Sequence, residues 1–505
     1  MNRCIRSALT LALPGLVAAA IVSADAVTAQ ERTLGTIHFA NSGQPAAQKP
    51  FLEGVLLLHS FEFEDAAAAF RRAQQVDPDF ALAYWGEAMT YNHPLWREQD
   101  RDAALAALAR YAPTAEARRA KAPTAREAAY LGALDVLYGE GSKTDRDHAY
   151  MAEMYRLVNQ HPNDMEARAF YALSILGSTD GERDFATYMR AAAAAQPVFD
   201  ANPKHPGAVH YLIHSFDDPI HAPLGLEAAR AYSTIAPDAG HAQHMTSHIF
   251  VAMGMWDDVV AANIRARDVQ NARNAELGRP PNVCGHYTSW LHYGWLMRGD
   301  LADAERGMEE CATHVRSGSA NPGEVGYYVN MRARHVLDTE DWAAADRWRA
   351  EVDLPGYDFV TAYAALKRGD SSAATALLER TSGMSDLPPR STIMTLELQA
   401  LIALEAGDGE KALDLLHEAT EIEEGLPFEF GPPASLKPPH ELLGEVALEL
   451  GRNGMALGAF RESLDFTPER APSLEGLAEA ASALGQTATA ADARARLRQI
   501  RHEPN

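Results

Sequence analysis

Apolar residues fall three and four positions apart through nearly the whole chain, the spacing that lines one face of an α-helix. Alanine and leucine dominate these stretches, while glycine and proline sit between them. No segment shows the sustained alternation of a half-buried strand, so the pattern predicts an all-α chain. Phe51 to Pro78 reads as one helical hairpin, with Gly54 in the first helix, Ala66 and Phe70 in the second, and Pro78 closing it. Leu442 to Pro468 repeats that arrangement with Gly444, Ala456, Phe460 and Pro468. Small residues fit where paired helices approach closely, and the proline ends the second helix.

The period of this pattern also appears in the histidines. His59 and His93 are 34 residues apart, as are His210 and His244, and again His214 and His248. A helix–turn–helix unit of 34 residues is the period of the tetratricopeptide repeat. A chain of 505 residues is too long for one compact core unless it splits or repeats, and here it repeats. The expected fold is a right-handed, tetratricopeptide-type α-solenoid over residues 30–505 with a histidine-lined concave groove. Its histidine-rich repeats fall at about 203–300 and its C-terminal repeats at about 385–505. The proline-rich stretch from Gly425 to Pro433 is expected to fold against the groove as a loop.

Residues one period apart occupy equivalent places on successive hairpins. His210 and His214 are four residues apart, as are His244 and His248. Each pair therefore shares a helical face, with Cβ atoms ~5–6 Å apart. Neighbouring first helices pack at ~8–10 Å, so four imidazoles form a square patch. His241 lies on the same stripe, and His286 takes its place one repeat later; His59 and His93 are also expected to face the groove. Asp217 follows His214 by three residues and is placed to accept an imidazole N–H. A site made of imidazole suits zinc, copper or iron rather than calcium or magnesium. The expected metal ligands are His210, His214, His241, His244, His248 and His286. Three of them would hold one ion with a coordination position left open. Hydrolysis and oxidation are not separated at this level, and catalysis itself stays undecided. The alternative is a non-catalytic periplasmic scaffold that docks an extended peptide or protein partner in the groove. Glu441 and Glu445 read as solvated charges at the groove's end.

A net charge of −24 argues against nucleic acid and anionic lipid as partners. Residues 1–29 have the build of a secretory signal: Arg3 and Arg6, an apolar run from Ala8 to Ile21, and small residues up to Ala29. No later stretch reaches membrane-spanning length, so the expected destination is periplasmic or secreted. Two cysteines follow the leader, Cys284 and Cys311, and export would permit a disulfide between the helices of one hairpin.

The segment His205-Pro-Gly-Ala-Val-His210-Tyr-Leu-Ile-His214, with Asp217 and Pro219, is followed by His241-Ala-Gln-His244-Met-Thr-Ser-His248-Ile-Phe, Gly254 and Trp256. Together with Tyr84-Trp85-Gly86-Glu87 and Lys437-Pro-Pro-His-Glu-Leu-Leu-Gly, these segments resemble a group of exported bacterial tetratricopeptide-repeat proteins. Thr246 stands where that group's pattern has proline. The resemblance implies the solenoid and export, and carries no reaction.

Overall fold

Prolines and polar caps start the helices where the apolar pattern breaks. The structure is a computed structural model describing residues 32–179, 183–381 and 387–504, among which are twenty-five α-helices. The expected signal segment at 1–29 lies outside the described residues. Pro206, Pro322, Pro355 and Pro439 open their helices, where the missing N–H costs nothing. Thr124, Ser142, Asp164 and Asp184 accept backbone N–H groups at other starts, and Asn321 with Glu324 forms a reciprocal cap.

The helices pack as successive pairs, making an all-α solenoid of stacked hairpins. Pro45–His59 pairs with Phe63–Val76, Pro206–Phe216 with Ala222–Ile235, and Gly240–Ala252 with Trp256–Glu276. His286–Arg298 then pairs with Leu301–Arg316, and Pro439–Glu449 with Asn453–Phe466. Every residue of Pro206–Phe216 and of Gly240–Ala252 is buried, as expected of helices enclosed on all sides. Leu301–Arg316 instead buries one stripe, Ala304, Gly307, Met308, Cys311 and Ala312, and turns the rest outward. The repeat signature has a direct steric meaning. A Cβ on Gly54 would lie 2.8 Å from Phe70, and one on Gly444 would lie 2.8 Å from Phe460.

The concave side does not remain an open groove. The first hairpin returns against the middle of the chain: Thr36 donates to the Lys204 carbonyl at 2.9 Å, and helix Pro45–His59 packs on Pro206–Phe216. Farther along, Trp256 donates its indole N–H to the Glu469 carbonyl at 2.8 Å. Buried Arg470 joins Glu441, Asp338 and Tyr293. These closures fill the inside of the superhelix with side chains. Glu441, read from sequence as solvated, is therefore buried, and Lys437 binds both it and Glu445.

Two local expectations change. His93 is not on a helix facing His59. Helix Ala81–Met89 ends before it, and His93 pairs with Glu98 in a two-residue antiparallel ribbon. Pro94 accounts for this, because a residue preceding proline is pushed out of the helical region. Cys284 lies in the turn before helix His286–Arg298 rather than within it, and is bridged to Cys311. No helix among the described residues is long and apolar enough to cross a membrane.

Candidate metal centre

The histidine helices are adjacent, and their spacing brings the six expected ligands into two abutting groups. His210, His214 and His241 each bring one ring nitrogen within 4.8 Å of the others; so do His244, His248 and His286. Five of the six are buried, and His286 is half-buried. The groups meet where the His214 and His248 rings lie 5.4 Å apart and the His241 and His244 rings 6.1 Å apart.

Most of the rings are oriented through Nδ1. His210 Nδ1 lies 2.7 Å from the His59 carbonyl, and His244 Nδ1 lies 2.7 Å from the Asn263 side-chain oxygen. Asn263 turns its amide N–H to the Val259 carbonyl, which leaves that oxygen to accept. Asp217 serves two rings at once, with Oδ2 2.9 Å from His248 Nδ1 and 3.3 Å from His214 Nδ1. Its other oxygen holds Arg183 at 2.5 Å. His286 Nδ1 lies 3.2 Å from the Tyr327 hydroxyl. Where a carbonyl or carboxylate oxygen accepts at Nδ1, the proton sits there and Nε2 keeps its lone pair.

Those lone pairs point into the shared interior. Nε2 of His210, His214 and His241 is buried with no hydrogen-bonding partner in the protein. His244 and His248 face each other Nε2 to Nε2 at 3.2 Å. With both protons held on Nδ1, no hydrogen lies between these nitrogens. Two ligands at ~2.0–2.1 Å on a tetrahedral ion stand about 3.3 Å apart, so the spacing fits a shared cation. Burial, reinforced by neighbouring imidazoles, holds His210, His241 and His244 well below the ordinary histidine pKa. Burial also lowers His214, against the opposing pull of Asp217. Burial alone would raise Asp217, but Arg183 and the two imidazole N–H groups hold it far below the carboxylate range. His210, His214, His241 and His244 are thus held as neutral donors beside one ionised carboxylate.

Aromatic rings enclose it. Trp290 and Phe430 stack on His248 at 4.6 and 4.9 Å, and Phe61 lies 4.3 Å from His210. Trp96 approaches His241 at 5.8 Å. Trp96 is 46% exposed and Phe430 39%, so a single ring separates the imidazoles from solvent on each of these sides. The loop carrying Phe430 is the proline-rich segment expected to fold against the groove, and its Phe430 ring covers His248. Gly431 in it has φ +97°, and any Cβ there would run into Trp290 at 2.3 Å.

His59 stands outside both groups. It bridges Glu166 at 2.9 Å and the Tyr211 hydroxyl at 2.8 Å, and His205 meets the other oxygen of Glu166 at 3.1 Å. The two imidazoles overcome the effect of burial and lower Glu166 to about 2. The ligand atoms of these three residues also lie within 4.8 Å of one another, but unlike in the other two groups the ring nitrogens all have partners within the protein. Sequence reading missed Glu166 and Asn263, which reach His59 and His244, and Arg183, which reaches Asp217, each from a helix or turn that carries no histidine motif.

No protein-family model matches the chain, and no curated protein matches it. Among solved structures, the human IFIT1 dimer with m7Gppp-AAAA is 12% identical, covering 92% of this chain and 91% of that one, with a TM-score of 0.31. The yeast Tom70 structure is 11% identical over 88% of this chain and 96% of that one, with a TM-score of 0.33. The Cut9 complex with Hcn1 is 11% identical over 88% and 78%, with a TM-score of 0.35. At this level the likeness goes no further than the helical plan. The kinship with exported bacterial proteins is corrected here: no family model and no curated protein matches, and the solved structures found include human IFIT1 and yeast Tom70. The signal-peptide reading and the periplasmic or secreted destination that accompanied it are withdrawn with it.

Proposed function

We propose that this solenoid binds a transition metal through His210, His214, His241, His244, His248 and His286. The observation that carries the reading is the set of convergent Nε2 atoms, three of them buried without a hydrogen-bonding partner and two more facing each other at 3.2 Å. A buried polar atom left unpaired costs about 1–3 kcal/mol, so histidines retained only for packing would be expected to turn these nitrogens toward partners. A metal ion satisfies them together. Their backing by Asp217, Asn263 and the His59 carbonyl is the support that fixes ligating imidazoles in one tautomer. Bound in this way, zinc would direct the protein toward hydrolysis, and copper or iron toward oxidation.

Elemental analysis of protein purified without a histidine tag, then reconstituted with zinc, copper or iron, tests the reading. Stoichiometric metal in the wild type and its loss in the His214→Ala/His248→Ala variant are expected. Undiminished occupancy in that variant, or no stoichiometric metal in the wild type, overturns it.

A second reading rests on the architecture itself: stacked helical hairpins present a long surface suited to docking a peptide or protein partner. The imidazole face is covered by Phe61, Trp290 and Phe430, so such a partner would dock elsewhere on the solenoid. Docking would survive chelation and the histidine substitutions, whereas metal uptake would not.

A further inference from the structure

We infer that the histidine core takes two monovalent copper ions side by side, one in each three-imidazole group. This inference rests on the metal-binding reading above and specifies its occupant. Each group has its own three donors: His210, His214 and His241 in one, His244, His248 and His286 in the other. Neither borrows a ligand from its neighbour, and both come from the same repeat geometry. The groups touch through the 5.4 Å contact of His214 with His248, so two ions would be close neighbours. Asp217 sits behind that contact and fixes both rings.

Charge selects the ion. Six imidazole ligands bring no negative charge to the site. Asp217 and Asp218 share the single guanidinium of Arg183, so the nearest carboxylates leave about one unbalanced negative charge behind the rings. Two divalent zinc ions would place four positive charges in a buried, aromatic enclosure; two Cu(I) ions place half that. Helical di-iron centres use carboxylates as ligands, whereas here Asp217 meets the rings at Nδ1, on the side away from the free nitrogens. Three imidazole donors suit copper as well as zinc or iron, so it is the charge that favours the monovalent ion.

A pair of Cu(I) ions can do what a single ion cannot. Each gives one electron to a dioxygen molecule, which takes both and becomes bound peroxide. Both ions end as Cu(II), and no proton or leaving group is required.

The test supplies Cu(I) anaerobically to the full chain, counts copper per chain, then admits air while measuring oxygen uptake and electron paramagnetic resonance. Two coppers per chain, one dioxygen taken up per pair and a resonance-silent, coupled Cu(II) pair are expected. The His210→Gln/His241→Gln variant should keep one copper and lose the stoichiometric uptake. Should its helicity show misfolding, His286→Gln, at the half-buried position, gives the same comparison. One copper per wild-type chain, or two that show independent Cu(II) signals, overturns the pair and leaves the metal-binding reading standing. Failure to bind copper, zinc or iron at all overturns both.

Discussion

His244 and His248, one helical turn apart, present Nε2 to Nε2 at 3.2 Å while their Nδ1 atoms are held by Asn263 and Asp217. Two lone pairs at that distance repel unless a cation lies between them. On the metal-binding reading proposed above, an ion would relieve that repulsion, which predicts a gain in stability on loading. Free metal at a hundredfold excess over its Kd should stabilise the folded state by about 2.7 kcal/mol. Thermal unfolding followed with metal and again after chelation checks this. An unchanged Tm in the two states would rule out binding to the folded protein.

Asp217 orients two rings from behind, and Asp217→Asn should loosen both. Asn has one oxygen where Asp has two, so it cannot face both the ring N–H groups and Arg183, and it lacks the charge that holds the rings; metal affinity is expected to fall about 10–100-fold. Arg183 keeps Asp218 as a partner at 3.1 Å, so the variant should stay folded. Titration against a competing chelator measures the change. Wild-type affinity in this variant would show that the imidazoles need no such support.

His292 and His335 provide a pH response away from the metal centre. His292 Nε2 lies 3.1 Å from His335 Nδ1, and both rings are buried. Burial, together with the neighbouring His335, lowers His292 well below 6.5, and burial lowers His335 to about 4. The unfolded chain thus binds protons below 6.5 that the folded chain refuses. Stability from this pair is present above pH 6.5 and lost as pH falls toward 4. Urea midpoints of wild type and His335→Gln, compared at pH 7 and pH 5, should show a shallower loss in the variant; parallel losses would exclude the pair as the source.

Glu397 responds in the opposite sense. It is fully buried, and neither carboxylate oxygen has a hydrogen-bonding partner. Burial, and the charge of Glu423, raise it well above the ordinary range; burial raises Glu423 to about 7. Here the folded state holds protons that the unfolded state releases, so stability falls as pH rises from 4.5 through 7. Glu397→Gln should raise the urea midpoint more at pH 7.5 than at pH 5. Equal shifts at the two values would mean that ionisation at this site is not what limits stability.

The glycines of the repeat separate packing from propensity. A Cβ on Gly476 would lie 2.1 Å from the Phe460 ring, while nothing lies within 4 Å of one on Gly458. Gly476→Ala should cost about 1–3 kcal/mol by overpacking. Gly458→Ala, inside helix Asn453–Phe466, should gain roughly 0.5–1 kcal/mol. Thermal denaturation of both variants decides the matter; stabilisation at Gly476 would refute the steric reading of the repeat.

Helical periodicity, the Gly54/Phe70 and Gly444/Phe460 signature and the 34-residue spacing are local properties, set by which residues share a face and how closely two helices can approach. They were legible in the chain without its fold, as was the grouping of His210, His214, His241, His244, His248 and His286, because equivalent repeat places stack. Asp217 was legible for the same reason, lying one turn from His214. What a period cannot contain is the curvature that accumulates over many hairpins. That curvature brings the first hairpin back onto helix Pro206–Phe216 and the last ones onto Trp256 and Tyr293, closing the groove. It placed the His59 carbonyl on His210, buried Glu441 against Arg470, took Glu166 and Asn263 to histidines on other helices, and set Arg183 against Asp217. The chain alone determined which residues would face inward; only the tertiary structure decided which of them would meet, because contacts across a superhelix depend on summed small rotations that no single repeat records.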